Sequence, residues 1–242
     1  MPKAGRSHRI APMEYSPLLA VLTGLLEFGA GIWVFLGLRF GRKRILYPLG
    51  MIFLCLAGYQ FAEVAVCGHL ENKIWTQLAF FDITWLPPLG LWLAAKLSAP
   101  RNRWMRTAAF VDMALALAFS VWIFADPKAI TKSVCELVVA RYFPTAVFDI
   151  SYSLFYQLSL LVTIFGAAAG MASSEDAVLR RHLANLQTGL LGFLLPALAV
   201  RILVPEAGGG LLPSVMCHFA IVLAVSLFVL VLRERRTVLK PS

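Results

Sequence analysis

Charge is scarce in this sequence. Lys, Arg, Asp and Glu make up 14% of its 242 residues, too little polar surface to cover a water-soluble globule of that length. That excludes a secreted enzyme and a DNA-binding protein, and no nucleic-acid partner is expected despite a net charge of +9. Cysteine is sparse as well. Cys55, Cys67, Cys135 and Cys217 show none of the paired spacings that build zinc sites, so no metal site is expected. Gly-x-Ser-x-Gly and glycine-rich phosphate loops are missing; no catalytic residue is assigned and no cofactor is expected. The first 16 residues hold Lys3, Arg6 and Arg9 but no short apolar run leading to a small-residue cleavage site, so no cleavable signal peptide is expected.

Apolar sequence is what the chain has in plenty. Hydrophobic residues make up 60% of it and form long continuous runs, not the alternating ten-residue segments of an outer-membrane barrel. Seven runs are long enough to cross a hydrocarbon core roughly 30 Å thick: residues 17–38, 45–66, 74–97, 105–125, 148–171, 183–204 and 211–232. The expected fold is all-α, a polytopic membrane protein built as a seven-transmembrane helix bundle, with residues 1–242 forming one domain. Prolines fall at Pro48, Pro87, Pro88, Pro196 and Pro213 without a repeating offset. A duplicated transporter plan is therefore disfavoured.

Lys and Arg sort by side. Arg39, Arg42, Lys43 and Arg44 lie between the first two runs; Lys96, Arg101, Arg103, Arg106, Arg180, Arg181, Arg233, Arg235, Arg236 and Lys240 fall on the same side, fourteen in all. Lys3, Arg6, Arg9, Lys73, Lys128, Lys132 and Arg141 make seven on the other. The bias places the N-terminus outside and the C-terminus in the cytoplasm. The tail Arg233 to Lys240 then reads as a solvated, topology-setting segment beside anionic lipid headgroups.

Residues 126–147 form the longest outer loop. Ile130, Val134, Leu137 and Val138 stand at helical spacing there, predicting a short amphipathic helix over Ala129 to Phe143. Cys67 and Cys135 share that outer side, where an oxidising compartment permits a disulfide between them. Ser173 followed by Asp176 resembles a capping box opening the sixth helix.

Ionisable residues inside apolar runs are costly and normally face a bundle interior or a water-filled cavity. Glu63, Asp82, Arg201 and His218 fall at a common depth near the outer ends of four runs, with Glu27 near mid-membrane and Asp112 in the inner half. Asp149, Tyr152 and Tyr156 share one face of the fifth run, and Trp85 sits one turn below Asp82. Two readings compete: polar contacts that hold helices together, or an outward-facing pocket for a small polar or amphipathic ligand. The candidate ligand-binding set is Glu63, Asp82, Trp85, Tyr152, Tyr156, Arg201 and His218. One membrane-embedded histidine is too few for a multi-histidine zinc hydrolase.

The segment Asn72 to Trp92, in which Lys73 and the Phe81-to-Trp85 stretch precede Leu86-Pro87-Pro88-Leu89, resembles a bacterial family. That family is the seven-helix sensory region at the N-terminus of some histidine kinases and cyclic-dinucleotide enzymes. Tyr59-Gln60-Phe61-Ala62-Glu63 is similar to the aromatic and glutamate that end its second helix. The resemblance covers residues 17–110 and continues by helix count alone. Family members carry a cytoplasmic catalytic domain after the seventh helix, whereas about ten residues follow it here. The resemblance thus implies a receptor-like protein of the bacterial inner (cytoplasmic) membrane that signals through a separate cytoplasmic or membrane partner. A small-solute or lipid transporter and a membrane-embedded hydrolase are the alternatives. Asp82, Pro88-Leu89 and Pro196 are also similar to microbial rhodopsins, but the run 211–232 lacks the lysine that a retinal Schiff base needs.

Overall fold

A computed structural model describes residues 17–68, 73–98, 103–135, 140–203 and 212–239. The chain is mostly helical: α1 (Leu18–Leu36), α2 (Lys43–Gly68), α3 (Lys73–Thr84), α4 (Leu86–Leu97), α5 (Arg103–Ala125), α6 (Ala146–Ser173), α7 (Ala177–Leu203) and α8 (Leu212–Leu239). A two-stranded hairpin, β1 (Ile130–Cys135) and β2 (Ala140–Pro144), stands between α5 and α6. Among the described residues, five helices are long and apolar enough to cross a membrane: α1, α2, α3 with α4 as one broken segment, α5 and α6. Large apolar side chains such as Leu22 and Leu26 on α1, Phe110 and Leu117 on α5, and Leu154 and Phe165 on α6 are exposed. Such a surface is tolerable in lipid and a liability in water.

α2 occupies the middle, packed against α1, α3, α4 and α8. Its Leu46, Leu49, Phe53, Leu56 and Tyr59 are almost fully buried. Lipid competes for apolar contact as well as a neighbouring helix does, so helices in a membrane associate through close packing at small residues. Gly24 and Gly31 of α1 supply that here. A Cβ on Gly24 would lie 3.1 Å from Gln60, and one on Gly31 3.0 Å from Leu54.

The expected third span is broken at Trp85. Pro87 and Pro88 have no N–H to donate, so the carbonyls of Ile83 and Thr84 lose their helical partners. The chain tightens there, the Trp85 amide donating to Asp82 O at 3.3 Å, and α4 restarts with its prolines in the first turn.

The loop between α5 and α6 differs from its expected helix. Ile130 to Cys135 pair antiparallel with Ala140 to Pro144, with Cys135 opposite Ala140 and Val134 opposite Arg141. Residues four apart share a face in a regular strand as in a helix, but a bulge between Ile130 and Lys132 puts Ile130 on the face of Ser133 and Cys135, opposite Val134. In β2 the period is plainly two, since Ala140 and Tyr142 are buried while Arg141 and Phe143 are not. Cys67 at the end of α2 and Cys135 at the end of β1 are joined by a disulfide, their Cα atoms 5.6 Å apart. The capping box is also corrected. Ser173 closes α6 by donating to Ala169 O at 2.9 Å, and Asp176 alone caps α7, accepting from the Val178 amide at 2.8 Å.

Candidate functional site

Two groups of buried polar residues stand at opposite ends of α2. One, below the hairpin, contains Glu63, Tyr152 and Tyr156 of the residues singled out in the sequence. The other, where α1, α2, α7 and α8 end or begin, is an ion-pair clasp that sequence reasoning missed.

At the hairpin end, Tyr142 of β2 is 1% exposed and enters the bundle. Its hydroxyl lies 3.4 Å from the Tyr59 hydroxyl of α2, and its ring meets Phe80 of α3 edge-on at 5.1 Å. Glu63, one turn beyond Tyr59 on α2, is fully buried. Phe80 continues the aromatic contact to Phe148 and Tyr152 of α6. Tyr152 stacks on Phe148, approaches Tyr156 at 6.0 Å, and shares a 3.1 Å hydrogen bond with Thr84, whose hydroxyl donates to Phe80 O. The hairpin, α2, α3 and α6 are thereby fixed around one aromatic cluster.

Asp82 turns the other way. It lies beside Cys55 and against Gly58, leaving no room for a side chain there. Asp82 and Thr84 fall about 160° apart by helical geometry, having 3.6 residues per turn. The structure therefore brings Tyr152 and Tyr156 together with Phe80 and Thr84, and places Asp82 with Cys55 and Gly58. Trp85 stands at the break, half-buried, with its ring against Phe81 at 6.3 Å. The side chains of Arg201 and His218, near the hairpin-end termini of α7 and α8, lie outside the described residues.

Two further carboxyls are buried in the apolar part of the bundle. Glu27 of α1 is 1% exposed, and neither of its oxygens has a hydrogen-bond partner among the described residues. Asp112 of α5 accepts from the Ser159 hydroxyl of α6, while its other oxygen has no partner. Asp112 lines a groove of about 740 Å³ between α4, α5 and α6, bounded by Arg103 and Trp104 at one end. Carboxyls in such surroundings are expensive and mark function more often than structure.

At the other end, the Glu234 carboxylate of α8 is fully buried and takes four hydrogen bonds. Arg42, just before α2, supplies three: its amide at 3.0 Å and its guanidinium at 2.7 Å to each oxygen. Nε2 of His182, from α7, completes the set at 3.1 Å. Beside the clasp, Arg235 lays its guanidinium 3.5 Å from the Trp33 ring centre and donates to Trp33 O, tying α8 to α1. The tail is thus not uniformly solvated. Arg233 and Arg236 are exposed, but Glu234 and Arg235 are packed inward. The available signal was compositional: Glu234 is the single acid in the run Arg233 to Arg236.

Burial alone raises the Glu234 carboxyl, but the hydrogen bonds from Arg42 and His182 and the Arg42 charge outweigh it and hold it at about 2. Its ordinary value is 4.5, so the folded chain binds this proton less readily than the unfolded one. The clasp's contribution is accordingly complete above pH 4.5 and lost as pH falls toward 2, an effect of up to about 3 kcal/mol. Thermal unfolding in detergent should show this acid loss in the wild type and much less of it in Glu234→Gln. An identical acid profile in the two proteins would contradict the assignment.

No protein-family model matches the chain, and no curated protein sequence matches it.

Proposed function

We propose that the chain is a seven-span receptor-like protein of the bacterial inner membrane. Its hairpin end faces outward, its clasp end faces the cytoplasm, and it signals through a separate partner. The observation that carries this reading is the position of α2. One continuous central helix meets the disulfide-pinned hairpin at Cys67 and the aromatic cluster at Tyr59, and it begins beside the four-bond clasp at Arg42. A movement at one end has a rigid path to the other, and the clasp end carries the basic residues expected on a cytoplasmic face.

The ligand site lies below the hairpin and takes a small polar or amphipathic molecule. Glu63, Tyr152 and Tyr156 are assigned to it, with Asp82 and Trp85 flanking it from the other side of α3 and its break, and Arg201 and His218 assigned by their position along α7 and α8. The carboxyls suit an amine or hydroxyl. A small-solute transporter is the competing class, and the same residues would serve it.

Orientation is tested by C-terminal fusions: a fluorescent protein should glow and an alkaline phosphatase should be inactive, and the reverse pattern would overturn the assignment. Function is tested by screening small polar and amphipathic solutes for thermal stabilisation of the purified protein. The reading expects a stabilising solute whose effect disappears in Asp82→Asn and Glu63→Gln. Uptake of that solute into proteoliposomes would instead favour transport.

A further inference from the structure

Beside the clasp, the first turns of α7 and the last turns of α8 enclose a pocket of about 440 Å³ lined by Val178, Arg181, His182, Arg233 and Arg236. Three guanidiniums and an imidazole converge on it. The nearest buried acid pairs with the imidazole but with none of the three guanidiniums, because Glu234 accepts from Arg42 and His182. His182 is itself 1% exposed, and its Nδ1 is buried without a hydrogen-bond partner among the described residues. Leaving such an atom unsatisfied is costly, and buried polar groups in native proteins nearly always find a partner. Asn185, one turn along α7, accepts from Arg233 at 3.2 Å through its carbonyl, while its amide nitrogen also lacks a partner.

We infer that this pocket binds a phosphate group, and specifically the headgroup phosphate of an anionic membrane phospholipid. Guanidiniums match phosphate oxygens with paired, charge-assisted hydrogen bonds. With Nε2 committed to the Glu234 carboxylate, Nδ1 is the ring atom left for a partner, and a phosphodiester oxygen, which has no proton to give, would pair with it as the acceptor of an N–H. The location favours a lipid over a free ester. Arg233 directly follows the apolar run that ends at Leu232, which sets the pocket at headgroup depth, where basic pockets between helices recruit anionic lipid. A phosphate held between Arg181 and His182 on one helix and Arg233 and Arg236 on the next would draw α7 and α8 together beside the clasp. Headgroup binding would then reinforce the same junction that Arg42 and Glu234 close. This goes beyond the receptor reading and does not depend on any ligand at the hairpin end.

The test uses the full chain in nanodiscs of phosphatidylcholine alone and of phosphatidylcholine with phosphatidylglycerol. A third arm holds inorganic phosphate, against chloride at equal ionic strength, in the phosphatidylcholine discs. Thermal midpoints and lipids retained in native mass spectrometry are read for wild type, Arg233→Gln, Arg236→Gln and the control Arg180→Gln, whose arginine is exposed and outside the pocket lining. Phosphatidylglycerol should raise the wild-type midpoint and survive as a retained lipid. Its apparent affinity should fall about tenfold with either pocket arginine removed, the equivalent of one charge-assisted hydrogen bond, and stay unchanged in Arg180→Gln. Stabilisation by inorganic phosphate that is also lost in the pocket variants would support the phosphate site and make a soluble ester its source. An equal phosphatidylglycerol effect in all four proteins, or an equal loss in Arg180→Gln, would show general charge attraction and overturn the proposal.

Discussion

Glu234→Ala should destabilise the protein by about 3 kcal/mol, the order found when one partner of a buried ion pair is removed. The substitution strands the Arg42 guanidinium, 31% exposed, and the fully buried side of His182 without their common acceptor. At a few degrees per kcal/mol for a chain of this size, the thermal midpoint should drop by about 5–10 °C. The companion variants give the result its meaning. Arg42→Met combined with Glu234→Met should cost less than Glu234→Ala alone, because no charge is left behind in the interior. Equal midpoints for Glu234→Ala and wild type would show that the clasp is a surface contact of little consequence.

Tyr142→Ala should have a comparable effect at the opposite end. The side chain fills the space between Tyr59 and Phe80 and is almost wholly buried, and emptying such a site costs roughly 3 kcal/mol or more. The disulfide between Cys67 and Cys135 keeps β1 tethered to α2 in this variant, so β2 is the part that loosens. Limited proteolysis of intact vesicles should cut Tyr142→Ala within 140–144 well before the wild type. A variant as resistant and as stable as wild type would mean that the hairpin is held by its disulfide alone.

The helices were legible because their cause is written locally. Apolar runs of spanning length, set apart by polar stretches such as Arg39 to Arg44, leave little freedom in where helices lie, although the run 74–97 was read as one helix and the break at Trp85 was not foreseen. The disulfide was legible too, since the two cysteines share one side of the membrane once the runs are placed. The hairpin was not, because the spacing of 130 and 134 suits a helix, and a bulge between Ile130 and Lys132 puts the two on opposite faces of β1; the period of two shows only in the burial of Ala140 and Tyr142. The clasp was invisible for another reason. Arg42 and Glu234 are 192 residues apart, and each sits in a basic stretch that has a sufficient explanation in membrane topology. Depth along a run placed Asp82 and Tyr152 at one level, yet it says nothing about azimuth; Asp82 faces Cys55 and Gly58 while Tyr152 reaches Thr84.

On the proposed reading, α2 couples the hairpin end to the clasp end. Coupling between two sites is reciprocal in free energy, so it is measurable without knowing the ligand. Hydrogen exchange of the protein in nanodiscs, followed by mass spectrometry, reads both ends in one experiment. Glu234→Gln should speed exchange in residues 42–46 and also in the hairpin, 130–135 and 140–144, while Tyr142→Ala should speed exchange around residues 42, 182 and 234 as well as locally. Changes confined to the end that was mutated, in both variants, would contradict the claim.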